Sequence, residues 1–129
     1  TLLITGGGGF VLSHLARTWL DADGSARVVV LDASPLDPVV ERFFAPVADR
    51  LDYIQADILS GDPLAKIADA HDITKIVHGA TITSMQGEGG PAADPRRLLS
   101  VNIQGTAHLL HWATGLDNLS RFIHVSSGS

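Results

Sequence analysis

Short apolar runs alternate along the chain with longer stretches whose apolar positions recur every three or four residues. The runs at 2–5, 28–31, 51–55, 75–78 and 121–126 are rich in Val and Ile. They read as continuous rather than alternating, as expected of strands buried on both faces. Between them the spacing predicts helices over 10–21, 38–49, 63–70 and, longest, 95–114. Asp62 is placed to cap a helix that starts at Pro63, and Asp94–Pro95 repeats that signature. Five strands separated by helices predict right-handed crossovers and an α/β, doubly wound parallel sheet in the order 3-2-1-4-5. Such a sheet opens a ligand crevice at the carboxyl ends of its first and fourth strands. The Gly-rich segment 81–91 follows the fourth strand and falls where the loops of this architecture meet substrate.

Composition narrows the picture. With 129 residues, 45% of them hydrophobic and 18% charged, the chain has the makeup of one soluble globular domain. No apolar run approaches the roughly 20 residues that span a bilayer, so no membrane partner is expected. A net charge of −5 without a basic cluster argues against nucleic acid. Absence of cysteine removes disulfides and thiolate metal sites. The expectation is a cytoplasmic protein that handles a small molecule. Thr1 opens almost inside a strand and Ser129 follows directly on another, so residues 1–129 are expected to be a piece of a longer protein, truncated after the fifth strand.

The chemistry sits first in TGGGGFVLSHL, where four glycines lie between a strand and a helix. A helix N-terminus carries unpaired N–H groups and partial positive charge, and glycines before it let a phosphate rest against the backbone. The next strand ends VVVLD, which puts Asp32 at its carboxyl edge within the same βαβ unit. A carboxylate there accepts both hydroxyls of an adenosine ribose and repels a 2′-phosphate. No Arg or Lys follows in ASPLDP, which favours NAD over NADP. A P-loop would need a GK[ST] ending; Phe10, Val11 and Leu12 stand there instead.

These residues resemble the extended short-chain dehydrogenases, the NAD-dependent epimerase/dehydratase family. TGGGGFVLSHL is similar to its TGxxGxxGSHL opening, with Gly6 and Gly9 as the first two motif glycines. QADI matches the segment after strand three. IVHGAT matches V-I-H-x-A-A, with Thr81 for the second alanine. DPRRLLSVNIQGTAHLLHWA matches the long-helix pattern that carries Asn102, Gly105 and Thr106, and RFIHVSSGS matches the ending of strand five. The resemblance implies a Rossmann NAD(P)-binding domain over 1–129. It implies NAD over Gly6, Gly9, Phe10 and Val11, with Asp32 on the adenine ribose and Asp57 and Ile58 flanking adenine. Ala80 would line the path to the nicotinamide, and Asn102 would face that end. Ser127 aligns with the catalytic Ser/Thr that hydrogen-bonds the reacting substrate oxygen.

The family transfers hydride with a Tyr as acid/base and a Lys four residues later, since an unperturbed phenol near pKa 10 is a poor base at neutral pH. Tyr53, the chain's one tyrosine, is followed at that spacing by Asp57 and reads as a packing residue. The 129 residues alone are therefore expected to be inactive. By resemblance, the parent is an epimerase, dehydratase or dehydrogenase acting on a sugar or sugar nucleotide, and a homodimer built on the long helix. A dinucleotide-sensing regulator of the same fold is the alternative; a Tyr-x-x-x-Lys beyond Ser129 would decide for the enzyme. His108 and His111 share a helix face but lack a third ligand, so no metal is expected. Arg96 and Arg97 read as a solvated first turn. Leu12 occupies the position of the third motif glycine, which serves close helix–sheet packing. It is expected to push the helix outward or to turn toward the nucleotide, weakening NAD.

Overall fold

The computed structural model describes residues 1–83 and 94–126. Five parallel strands form one sheet, β1 (Leu2–Thr5), β2 (Val28–Asp32), β3 (Leu51–Gln55), β4 (Lys75–His78) and β5 (Arg121–His124), in the expected order β3-β2-β1-β4-β5. Thr5 at the end of β1 pairs with Leu31 on one side and His78 on the other, so three strands finish at the same level. That common edge builds the crevice.

A continuous apolar strand serves two layers at once, because successive side chains leave opposite faces of a sheet. Leu2, Ile4, Val28, Val30 and Val77 face α1 (Phe10–Ala22), which meets them with Leu12, Ala16 and Leu20. Leu3, Val29, Leu31 and Ile76 face α3 (Gly61–Ala70) and α5 (Thr106–Ala113), which supply Leu64, Ile67, Leu109 and Ala113.

The helices differ from the expected ones in three places. The stretch 38–49 divides into α2 (Pro38–Phe44) and a 3-10 turn (Ala45–Arg50). Pro46 lacks the N–H that an α-helical bond would need, so the α-helix cannot continue through it. Helix α3 is entered from Ser60, which makes no side-chain cap; Asp62 lies inside the first turn, not at the cap. The long helix over 95–114 is α4 (Pro95–Leu99), a π-helical turn (Ser100–Gly105) and then α5. Its start is as expected, since the Asp94 carboxylate accepts from Arg96 N–H and Pro95 opens the helix. The β5 run is shorter than 121–126 and stops at His124.

Leu12 neither displaces α1 nor turns toward the crevice. It is 8% exposed inside the sheet-facing cluster, and Ala16 and Leu20 beside it are fully buried. Its Cδ1 crowds the place that a Cβ on Gly79 would take. A glycine just past β4 thus supplies the room that a glycine at position 12 would have supplied.

Candidate functional site

The glycine run folds as a tight turn because Gly6 takes φ +76°, a left-handed conformation that costs L side chains energy. Its N–H donates to the Leu31 carbonyl at 2.8 Å, and its own carbonyl accepts from Gly9 N–H at 3.3 Å. A Cβ at position 6 would lie 2.8 Å from the Ala80 nitrogen, so the turn is pressed against the exit of β4. Gly9 is exposed at the head of α1, and a Cβ there would have nothing nearer than the Gly6 carbonyl oxygen at 3.5 Å. The first turn of α1 presents its unpaired N–H groups beside this space.

Asp32 ends β2 with both carboxylate oxygens engaged. Oδ2 accepts from Gly8 N–H at 2.9 Å and Oδ1 from Ser34 N–H at 2.9 Å. Each oxygen keeps a further lone-pair direction for a hydroxyl donor. Tyr53, read from sequence as packing, also builds this end of the site. It pairs across the sheet with Val30, and its phenol donates to the Ser34 carbonyl at 2.9 Å. A Cβ at Gly8 would meet the Tyr53 oxygen at 2.7 Å and Asp32 Oδ2 at 2.9 Å. Burial, and then the Asp32 charge, push the phenol up to about 12, so it stays a neutral donor at physiological pH. The available signal was an aromatic with a polar tip in the strand that follows β2.

Beneath the exit of β4 runs a chain of one-way hydrogen bonds. Thr106 spends its only hydroxyl proton on the Asn102 carbonyl at 2.8 Å, so it accepts from His78 Nε2 at 2.8 Å. That assigns the His78 tautomer: Nδ1 accepts from the Thr5 hydroxyl at 2.6 Å, and Thr5 in turn accepts from Ala80 N–H at 3.3 Å. Doubly protonated imidazole would break this order. Burial foremost, and then His124 with its ring 5.2 Å away, lower His78 to about 4. The unfolded chain takes up this proton near pH 6.5 and the folded chain only near 4, so stability falls as pH drops across that window. Urea titrations from pH 7 to pH 4 should show this decline, and His78→Gln, which cannot titrate, should flatten it.

Asn102 lies in the π-helical turn and grips the strand exit. Its Oδ1 accepts from Ile82 N–H and the Thr81 hydroxyl, both at 2.9 Å, and its Nδ2 donates to the Ile82 carbonyl at 2.8 Å. The helix comes this close because Gly105 has no Cβ; one there would stand 2.7 Å from Ile58 Cγ2. Asp57 and Ile58 follow β3 on the same side. Arg97 stands exposed in the first turn of α4, as expected, and from there its guanidinium reaches Asp57 Oδ2 at 2.7 Å.

Together these groups enclose a cleft of ≈ 700 Å³, within the range of small-molecule sites. Gly6, Gly9, Asp32, Asp57, Ile58 and Ala80 from the sequence reading line it, and Gly8, Tyr53 and Arg97 join them. Phe10 and Val11 stand beside it, 81% and 71% exposed. Asn102 acts on the wall through residues 81 and 82. Ser127, and most of the loop 81–91, lie outside the described residues. The cleft joins a side-chain-free approach to a helix N-terminus, a carboxylate fixed at both oxygens and apolar lining from Ala56, Ile58 and Val101.

Comparison with known proteins agrees with this geometry. The chain is 33% identical to 3 beta-hydroxysteroid dehydrogenase/Delta 5-->4-isomerase of Mycobacterium tuberculosis, over 99% of this chain and 32% of that protein. It is equally 33% identical to dTDP-glucose 4,6-dehydratase of Streptomyces niveus, over 98% of this chain and 37% of that protein. The crystal structure of UDP-glucuronic acid 4-epimerase from Bacillus cereus in complex with NAD superposes with a TM-score of 0.75 at 28% identity, covering 98% of this chain and 40% of that one. The chain thus spans about a third of the length of the curated relatives it matches. The sequence model of the NAD dependent epimerase/dehydratase family matches residues 2–129. The chain belongs to the NAD-dependent epimerase/dehydratase family, and its Rossmann fold is the amino-terminal portion of that architecture.

Proposed function

We propose that residues 1–129 bind NAD for an enzyme that transfers hydride on a sugar or sugar nucleotide, as an epimerase, dehydratase or dehydrogenase. The observation that carries this reading is Asp32, held at both oxygens by Gly8 and Ser34 N–H groups at 2.9 Å on the wall of the cleft. A carboxylate fixed in this way accepts the vicinal hydroxyls of a ribose without reorganising. It also repels a 2′-phosphate, and residues 33–37 bring no cation to neutralise one. Gly6 and Gly9 keep the approach to α1 free for a diphosphate, which the N–H groups at Phe10 and Val11 would receive. Asp57 and Ile58 flank the base, Ala80 lines the way toward the reacting ring, and Asn102 holds that wall in place. Ser127 is assigned the hydrogen bond to the substrate oxygen.

Bound NAD would supply the hydride acceptor and donor. The substrate class follows the dehydratase of Streptomyces niveus and the epimerase of Bacillus cereus. In the whole protein the exposed Leu99, Ile103 and Leu110 along the α4–α5 run would pack a second copy, giving a homodimer. Among the described residues no helix is long and apolar enough to cross a membrane. The reading puts the protein in the cytoplasm, with its cofactor and nucleotide substrates.

Calorimetric titration tests the reading. NAD should bind more tightly than NADP, and Asp32→Ala should weaken NAD by about 10- to 100-fold, the worth of charge-assisted bonds to two hydroxyls. Tighter binding of NADP, or no saturable heat with either, would overturn it.

A further inference from the structure

Arg97 and Asp57 are 40 residues apart in sequence and close one end of the cleft together. Asp57 Oδ1 accepts from Leu59 N–H at 3.0 Å, and Oδ2 takes the Arg97 guanidinium at 2.7 Å. The carboxylate is therefore fixed from two elements, the turn after β3 and the first turn of α4. The Leu59 N–H, and then Arg97, hold Asp57 below the usual carboxylate range. It is ionised at neutral pH and acts only as an acceptor. Arg97 is the one cation among the described residues lining the cleft, against the carboxylates of Asp32, Asp37 and Asp57. Its partner is the carboxylate beside Ile58, at the end of the cleft assigned to the base.

We propose that Arg97 is a positioning residue that selects the base of the bound dinucleotide. By locking Asp57 as an immobile acceptor, it favours a base that presents an exocyclic amino group. It disfavours one that presents a carbonyl oxygen in the same place, because acceptor would then face acceptor. The inference rests on the NAD reading above and adds to it a residue whose job is to hold another. Without the guanidinium, Asp57 keeps one backbone bond and is free to rotate its second oxygen away. Lysine would retain the charge but not the planar fork.

The test is calorimetric titration of the chain with NAD and with nicotinamide hypoxanthine dinucleotide, which carries oxygen in place of the adenine amino group. The unaltered chain should favour NAD by about tenfold or more, as sites built around a hydrogen bond do. Arg97→Ala should cut that ratio to about threefold or less, mainly by weakening NAD, and Arg97→Lys should restore part of it. The melting temperature should stay nearly unchanged, since a half-exposed pair contributes little to folding. An unchanged ratio in Arg97→Ala, with NAD still binding, overturns the role of Arg97 alone. Equal affinity of the unaltered chain for both dinucleotides overturns it too, since no selection would then exist. No binding of either one overturns the cofactor reading and this inference with it.

Discussion

Gly6→Ala should destabilise the fold by about 3 kcal/mol or more, whereas Gly9→Ala should change stability by less than about 1 kcal/mol and abolish most NAD binding. The two glycines share one motif but face different constraints. At Gly6 the left-handed φ of +76° costs an alanine about 1–2 kcal/mol. Its Cβ would also stand 2.8 Å from the Ala80 nitrogen and 2.9 Å from both Ala80 Cα and Gly79 C. Those atoms are backbone, so no side chain can rotate aside, and overpacking adds about 1–3 kcal/mol. Gly9 has an extended backbone, φ −74° and ψ 162°, that any residue adopts. Its new Cβ would meet only the Gly6 carbonyl oxygen, at an ordinary 3.5 Å, and on the proposed reading would take space from the diphosphate. Urea unfolding separates the first effect and calorimetry the second. Normal unfolding of Gly6→Ala would refute the strained turn, and normal NAD affinity in Gly9→Ala would refute the cradle.

Features confined to one βαβ unit were legible in the sequence. The strand–glycine–helix turn and Asp32 lie within a single unit, so their meeting at the edge of the cleft follows from the local sequence. Strand order was equally legible, because runs such as Leu2–Thr5 and Val28–Asp32 bury both faces and can only be interior. Pro46 was a visible stop signal inside 38–49 that apolar spacing alone overrode.

What stayed hidden depends on partners from elsewhere in the chain. Tyr53 looks like packing until the sheet places it across from Val30, its phenol on the Ser34 carbonyl. Arg97 is exposed as its place in a first turn implies, and only the fold brings its guanidinium to Asp57. The π-helical turn has no signature of its own. It comes with Gly105 seated against Ile58 and Asn102 gripping residues 81 and 82, contacts that exist only once strand four and the long helix have met. Such turns often accompany functional sites, and this one shapes the cleft wall, with Val101 lining it and Asn102 holding residues 81 and 82.

Leu12→Ala should destabilise the protein by about 2–4 kcal/mol and Gly79→Ala by about 1–3 kcal/mol, while the double variant should lose at least about 1 kcal/mol less than their sum. From sequence, Leu12 was expected to weaken NAD binding, by pushing the helix outward or turning toward the nucleotide. The structure reverses that expectation. Leu12 is 8% exposed, packs in the cluster with Ile4 and Val77, and does not line the cleft. Truncating it leaves a void in the core and should leave NAD affinity within about twofold, since no cleft wall is removed. Gly79→Ala fails for the complementary reason, as its methyl would clash with Leu12 Cδ1 and must displace a side chain already held by the core. With both changes the new methyl occupies part of the space that the leucine vacates. Additive losses in urea would show that positions 12 and 79 are independent. Coupling would show one helix–strand contact whose glycine has moved from α1 to the exit of β4, leaving the nucleotide side of the loop untouched.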